Sequence, residues 1–258
     1  MIKKISILLF TAFLMAIPIF TEALANDPED YEKYEQRLNT LKQFFAENEM
    51  PIDLLLEDTR FEIYEGIGDR FKNSAERKSL DLDRYKVVLG FDAKKAQMVD
   101  FIDENRDQLE KAEKEYDIPK YVIAAIIGIE SDFGRNIGSY NPFNAYVSMY
   151  AVDYRADFAQ AQLKELMEFV TRHGIDVFEL KSSYAGAMTF AQFIPYSLNK
   201  WFVGDDIFDM NNNIMSVANY LSYFKERTGS VDRAVFRYNP SELYTSAVMA
   251  LAEEGQKM

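Results

Sequence analysis

Apolar residues recur along most of the chain at steps of three and four, the spacing that places side chains on one face of an α-helix. This pattern covers residues 31–45, 98–116 with one gap, 164–170, 214–224 and 241–254. Two of these segments are followed by Gly174 and Gly229, and glycine commonly ends helices because it accepts left-handed backbone angles. The pattern predicts a series of amphipathic helices, each burying one stripe.

Residues 51–89 are less regular, and an extended piece at 61–63 is too short to predict a sheet. Glycine and proline are scarce, with 11 and 7 of 258 residues, which implies few tight turns. Sandwiches and barrels, which need many turns, are therefore disfavoured. We predict an all-α chain with a small N-terminal helical lobe at residues 26–90 and a larger helical domain at 91–258.

The start of the chain is typical of a secretion signal. Two lysines precede an apolar stretch at residues 5–20, and small residues at 23–25 offer a cleavage site before Asn26. A membrane anchor is the alternative, but this stretch contains Pro18 and is shorter than the ~20 residues that a span requires. We expect a signal peptide at residues 1–25 and an exported, periplasmic product that is soluble and not inserted in the membrane.

Composition excludes several kinds of chemistry. The chain has no cysteine, so it has no disulfide, thiol nucleophile, thiolate metal site or lipid-bearing cysteine. Its single histidine, His173, precedes Gly174 and is interpreted as a residue at a helix end, which disfavours a catalytic triad or a multi-histidine metal site. The net charge of −13 argues against nucleic acid as a partner.

One predicted helix differs from the others because residues 121–129 are apolar on every face, which places it in the middle of a domain. Asp117 is interpreted as its N-cap, with Pro119 in the first turn. Gly134 is able to end the helix, and Asp132 is interpreted as a polar residue near that end.

Glu130 follows directly on this apolar run. Apolar surroundings and the negative end of the helix dipole both favour the protonated form of a carboxyl group. A glutamic acid that keeps its proton near neutral pH is what a general acid requires. A solvated glutamate at a helix end is the simpler interpretation on these residues alone.

Several motifs carry a family resemblance. Residues 126–134, in which Glu130 is followed by serine, an aromatic residue and glycine, resemble the catalytic-glutamate motif of lytic murein transglycosylases of the membrane-bound type B group. Residues 181–197 are similar to a second, highly specific motif of that family. Weaker likenesses follow the family order at residues 107–119, 153–158, 214–221 and 237–244. The resemblance covers residues 91–251, and more faintly the chain before them.

The resemblance implies a lysozyme-like helical domain that cleaves the β-1,4 bond between N-acetylmuramic acid and N-acetylglucosamine in peptidoglycan strands. Glu130 would act first as acid and then as base on the muramic C6 hydroxyl, giving a 1,6-anhydro product. Because the nucleophile belongs to the substrate, no cofactor and no second catalytic carboxylate are implied, unlike in paired-carboxylate glycosidases. A muramidase that admits water and a catalytically idle peptidoglycan-binding protein of the envelope remain alternatives.

The same motifs imply a set of substrate-binding residues. Small side chains at 185–187 permit close approach of a sugar ring, Gln192 offers a donor and an acceptor to an N-acetyl group, and Arg155 suits a peptide-stem carboxylate. Alternatively, the small residues pack helices, Gln192 is solvated, residues 238–240 end a helix and Arg155 forms a surface salt bridge. The predicted set is Arg155, Ser183, Gly186, Met188, Gln192, Phe193, Tyr238 and Asn239.

The family often carries a calcium loop before the segment that starts at Ile214. Here Asp209, Asn211 and Asn213 match its first three ligand positions, but Ile214 stands where glycine is needed and Tyr220 where a bidentate glutamate should be. We therefore interpret the segment as the N-cap of a helix beginning near Ile214 and predict no metal.

Overall fold

Helices account for most of the computed structural model, which describes residues 28–72 and 80–257. The helices are α1 (Pro28–Glu47), α2 (Asp53–Leu56), α3 (Ile67–Lys72), α4 (Leu82–Leu89), α5 (Phe91–Glu104), α6 (Arg106–Tyr116), α7 (Lys120–Ser131), α8 (Pro142–Ala151), α9 (Ala156–His173), α10 (Pro195–Trp201), α11 (Met210–Thr228), α12 (Val231–Tyr238) and α13 (Glu242–Gln256), with a short 3-10 helix at Val177–Glu179. These ranges contain isolated bridges but no sheet, so the predicted all-α fold class is confirmed.

The central helix is α7, in which every residue from 122 to 129 is buried. It packs against α5, α6, α11 and α13. A helix that is apolar all round has no face suited to water, so neighbours on several sides are required. The predicted position of this helix is therefore confirmed.

Both ends of α7 differ from the prediction. Asp117 is not an N-cap: it ends α6 in a left-handed conformation, with φ of 53°, and its carboxylate accepts a hydrogen bond from Lys225 at 2.5 Å. Pro119 disfavours a helical conformation in the residue before it, so the helix starts only after the proline. At the other end Asp132, not Gly134, ends the helix, again with left-handed angles.

The N-terminal helices pack directly on the rest of the chain. Helices α1 and α3 contact α8, while α4 contacts α5 and α13. Gly90 separates α4 from α5 in a left-handed conformation, at the predicted boundary between lobe and domain. Buried residues on both sides of Gly90 belong to one hydrophobic core, and the division into two units remains a prediction.

Other helix ends follow the expected chemistry. Gly174 and Gly229 take left-handed angles after α9 and α11, as predicted. The amphipathic stretch 98–116 is broken at Asn105 into α5 and α6. Residues 61–63 form no strand in the part of the chain that the structure describes. The predicted signal peptide lies outside the described residues, and within them no helix combines the length and apolar character needed to cross a bilayer.

A folded-back segment at residues 181–194 connects the 3-10 helix to α10. Ser182 and Tyr140 exchange backbone hydrogen bonds of 3.0 and 2.7 Å, and Met188 bridges to both Ser182 and Phe193. These bonds hold the segment next to the start of α8. Most of the second family motif thus forms a non-helical segment beside α8, and its last three residues begin α10.

Candidate active site

Glu130 lies in the last turn of α7 and is half-buried. The hydroxyl of Tyr244 donates a hydrogen bond to Glu130 Oε1 at 2.5 Å. Tyr244 occupies the first turn of α13, whose N-cap Ser241 accepts a hydrogen bond from the Tyr244 backbone N–H. The carboxyl end of one helix and the amino end of another therefore meet at this carboxyl group.

Two buried tyrosines surround the carboxyl group of Glu130. Burial, and after it the negative charge of Glu130, raises the pKa of both Tyr238 and Tyr244 well above the usual tyrosine value. Both phenols therefore remain protonated at neutral pH, and Tyr244 remains a hydrogen-bond donor. Tyr85 is buried on α4, which packs against α13, so an N-terminal helix contributes to the surroundings of the site.

Tyr238 connects these surroundings to the folded-back segment 181–194. Its hydroxyl donates to the carbonyl oxygen of Ala191 at 2.5 Å, and its ring centroid lies 5.7 Å from that of Phe193. Met188 pairs with Phe193 through the backbone. Of the predicted set, Tyr238 therefore lies next to Glu130, and it joins Phe193 and Met188 to these surroundings through its own contacts.

Gln192 has one polar side-chain atom that finds no partner among the described residues. Its Nε2 donates to the carbonyl oxygens of Thr189 at 3.0 Å and Ile137 at 3.4 Å. Within the described residues its buried Oε1 accepts no hydrogen bond, and such an acceptor costs about 1–3 kcal/mol. Gln192 is only 2% exposed, so the alternative of a solvated surface glutamine does not hold.

Ser183 and Gly186 are held by internal contacts. Ser183 Oγ accepts from the backbone N–H of Ala187 at 3.2 Å. A Cβ on Gly186 would lie 2.3 Å from the ring of Tyr146, whose hydroxyl donates to the Gly186 carbonyl oxygen at 3.0 Å. Packing against the Tyr146 ring of α8 therefore requires glycine at this position, in agreement with the alternative that the small residues serve packing. The contributions of Ser183 and Gly186 to substrate binding remain predictions.

Asn239 and Arg155 lie at helix ends. Asn239 is buried and follows the last residue of α12. Its backbone N–H donates a hydrogen bond to the carbonyl oxygen of Val235. Arg155 precedes α9 in a left-handed conformation, with its guanidinium 4.1 Å from the ring centroid of Phe158. The Phe158 ring centroid lies 6.5 Å from that of Tyr146, which places Arg155 on the Gly186 side of the folded-back segment.

Tyr244 is the residue of this site that sequence reasoning missed. It lies in the segment 237–244 that resembles the family, but its residue type and position assign it no role. The position three residues after Ser241 places Tyr244 in the first turn of a helix. The position of Tyr244 along the chain does not reveal that it faces the end of α7. Only the packing of α13 on α7 brings Tyr244 and Glu130 together.

The segment that resembles a calcium loop is a helix cap. Asp209 Oδ1 accepts from the backbone N–H of Asn212 at 2.8 Å, so the capping interpretation is confirmed, although α11 begins at Met210 and not near Ile214. The Asn213 side chain donates to two backbone carbonyls and accepts from Ala191 N–H. These side chains are engaged with the backbone, and they do not fit a calcium site.

We expect metal removal to leave the protein unchanged. EDTA should alter neither the melting temperature nor activity, and added calcium should not raise stability. A site that binds the folded state would add roughly 2.7 kcal/mol at a hundredfold excess over Kd, which a thermal melt resolves. Asp209→Ala should cost about 1 kcal/mol through loss of the cap, equally with and without calcium. A calcium-dependent rise in melting temperature that Asp209→Ala removes would contradict the assignment.

Comparison with known sequences identifies a family. The family described as "Transglycosylase SLT domain" matches residues 20–231. Membrane-bound lytic murein transglycosylase B of Escherichia coli strain K12 is 32% identical over 127 residues, which are 46% of this chain and 35% of that protein. The chain thus spans about a third of the length of this curated relative.

Solved structures share the fold. Soluble lytic transglycosylase SltB1 from Pseudomonas aeruginosa superimposes with a TM-score of 0.73 at 26% identity, over 89% of this chain and 99% of that one. SltB3 from the same organism, in complex with NAG-NAM-pentapeptide, has a TM-score of 0.73 at 18% identity. The superposition covers 87% of this chain and 80% of SltB3. The lysozyme-like helical fold implied by the motifs is confirmed, and since the family match spans most of the chain, the protein belongs to the transglycosylase SLT domain family.

Proposed function

We propose that the protein is a peptidoglycan lytic transglycosylase that cleaves the β-1,4 bond between N-acetylmuramic acid and N-acetylglucosamine. The observation that carries this proposal is Glu130, half-buried at the end of an apolar helix with its carboxyl group held by Tyr244. Membership of the family and the two family motifs beside this carboxyl group support the same conclusion.

In the first step Glu130 acts as general acid. Its carboxyl proton passes to the glycosidic oxygen, the bond from that oxygen to muramic C1 breaks, and the N-acetylglucosamine hydroxyl leaves. The hydrogen bond from Tyr244 limits rotation of the carboxyl group, and correct orientation is a large part of catalysis. As Glu130 becomes negative, the same donor makes a charge-assisted and therefore stronger hydrogen bond.

In the second step the carboxylate of Glu130 acts as base. It accepts the proton of the muramic C6 hydroxyl while that oxygen bonds to C1, which closes the 1,6-anhydro ring. The carboxylic acid is restored, and no water, cofactor or second catalytic carboxylate takes part. The protons balance because the one given to the leaving group is replaced by the one from C6.

Substrate binding falls to the folded-back segment and its neighbours. The buried, unpaired Oε1 of Gln192 supports acceptance of an N–H from an N-acetyl group, which would remove the cost of leaving that oxygen unsatisfied. Arg155 carries a guanidinium suited to a stem-peptide carboxylate. The sugar–peptide ligand in the SltB3 structure is of this chemical class.

The substrate indicates where the protein acts. Peptidoglycan lies outside the inner membrane, and the signal-like start of the chain supports export to the periplasm. The partners proposed are glycan strands of the cell wall.

Analysis of reaction products tests this function. Incubation of the purified protein with cell-wall sacculi should release muropeptides that are each lighter by one water than muramidase products, because the sugar's own hydroxyl displaces the leaving group. Mass spectrometry of the soluble fraction measures this difference. Muropeptides with reducing muramic acid would replace the proposal with the muramidase, and binding to sacculi without release would replace it with the idle binding protein.

A further inference from the structure

We propose that Lys94 is a positioning residue for Glu130, acting through its ion pair with Asp132 on the turn that ends α7. The inference rests on the proposed function of Glu130 and adds a residue from α5 to the machinery of that site.

This backbone is strained. Asp132, Phe133 and Gly134 take left-handed conformations in succession, with φ of 54°, 59° and 87°. The first two carry side chains, and each left-handed residue of this kind costs about 1–2 kcal/mol. Such a turn persists only where its surroundings hold it, and strain of this kind clusters at functional sites.

Local bonds hold part of the turn. The N–H groups of Asp132 and Phe133 donate to the carbonyls of Gly128 at 3.1 Å and Ile127 at 3.3 Å. Ser131 Oγ accepts from Gly134 N–H at 3.0 Å. The ring of Phe133 lies over Gly128, where a Cβ would approach it to 2.5 Å. The turn is thereby folded back along the last turn of the helix that carries Glu130.

Lys94 supplies the contact from outside the helix. It is 5% exposed, and its Nζ lies 2.9 Å from Asp132 Oδ1. Lysine is rarely buried so deeply without a partner, and the carboxyl end of a helix favours a cation. Arg135 also contacts Asp132, at 3.4 Å, but it is exposed on the surface, where ion pairs contribute little.

The charge state of Asp132 agrees with this pairing. Burial alone would raise its pKa, but the hydrogen bond and positive charge of Lys94, with Arg135, outweigh burial and hold the pKa below its usual value. Asp132 is therefore ionised at neutral pH, and the pair with Lys94 is intact under the conditions of activity.

The consequence for Glu130 is geometric. Glu130 lies two residues before Asp132, in the last helical turn of α7. The ion pair between Asp132 and Lys94 holds the end of this helix against α5. Without the pair, the strained turn relaxes and the carboxyl group moves relative to Tyr244. A displacement of about 1 Å at a reacting group costs on the order of 10²-fold in rate.

The chain offers a matched control at the opposite end of α7. Asp117 also ends a helix in the left-handed conformation and also pairs with a lysine, Lys225, at 2.5 Å. This second pair stands before the first residue of α7, a helix length away from Glu130. Lys225→Met therefore removes a lysine–aspartate pair at a helix end, although a more exposed one, without touching the turn behind the glutamate.

We expect Lys94→Met and Asp132→Asn each to lower kcat for release of anhydromuropeptides by about 10- to 100-fold with little change in KM. Lys225→Met should keep the wild-type kcat. The double variant Lys94→Met, Asp132→Asn should be no slower than the slower single variant, because both changes remove the same ionic attraction. All assays are run well below the melting temperature of every variant. A wild-type kcat in Asp132→Asn, whose side chain is 38% exposed and tolerates the change, would overturn the inference, as would an equal loss in Lys225→Met.

A second readout separates this inference from the proposed function. NMR of isotope-labelled glutamate carboxyl carbons, with the signal of Glu130 assigned from Glu130→Gln, should show that signal displaced in Lys94→Met and unchanged in Lys225→Met. Displacement with a wild-type protein that releases no anhydromuropeptides would refute the function and support the positioning role. An unchanged signal in both Lys94→Met and Asp132→Asn would overturn the positioning role.

Discussion

Replacing Glu130 with glutamine is expected to lower the release of anhydromuropeptides by at least ~10²- to 10⁴-fold, the usual contribution of general acid–base catalysis. The amide keeps the shape of the side chain, and its oxygen still accepts the hydrogen bond from Tyr244, but it has no acidic proton to give. Sacculi digestion followed by mass spectrometry measures the loss. The melting temperature and binding to sacculi should stay near wild-type values.

Glu165→Gln is a matched control for this change. Glu165 is half-buried in α9 and accepts a hydrogen bond from Asn199 at 2.7 Å, so it resembles Glu130 in burial and hydrogen bonding but belongs to another helix. Its replacement should leave turnover intact. Near-wild-type activity in Glu130→Gln would move the catalytic role to another residue.

Gly138→Ala is expected to destabilise the protein by about 3 kcal/mol or more, since overpacking adds to the cost of left-handed angles. Gly138 has φ of 91°, and a Cβ there would lie 2.1 Å from the carbonyl oxygen of Ser182. Because the obstacle is backbone, no side-chain rotation relieves the clash. The folded-back segment 181–194 must move, and thermal or denaturant unfolding measures the cost.

Gly174→Ala separates the clash from the backbone preference. Gly174 also has left-handed angles, with φ of 63°, but no atom of the described residues lies within 4 Å of a Cβ built at this position. Gly174→Ala should lower the free energy of unfolding by only about 1 kcal/mol, the cost of placing alanine in a left-handed conformation. Equal losses of stability in the two variants would show that contact with Ser182 plays no part at Gly138.

Features that depend on neighbouring residues along the chain follow from the sequence alone. Helical periodicity, glycine at helix ends and the cap at Asp209 all follow from local backbone chemistry, and the structure has them. The apolar run before Glu130 identified the buried helix because no face of it suits water. A glutamate at the end of such a helix was therefore recognisable, and the family motifs directed attention to it.

The groups that meet this glutamate, in contrast, depend on how the helices pack in three dimensions. Tyr244 and Lys94 reach the end of α7 from other helices, over separations in sequence that no periodicity encodes. Packing also decided that Asp132 ends the helix, because an aspartate in a left-handed conformation needs partners such as Lys94. Gly186 faces Tyr146 for the same reason, since close packing depends on shapes that meet only in the folded chain.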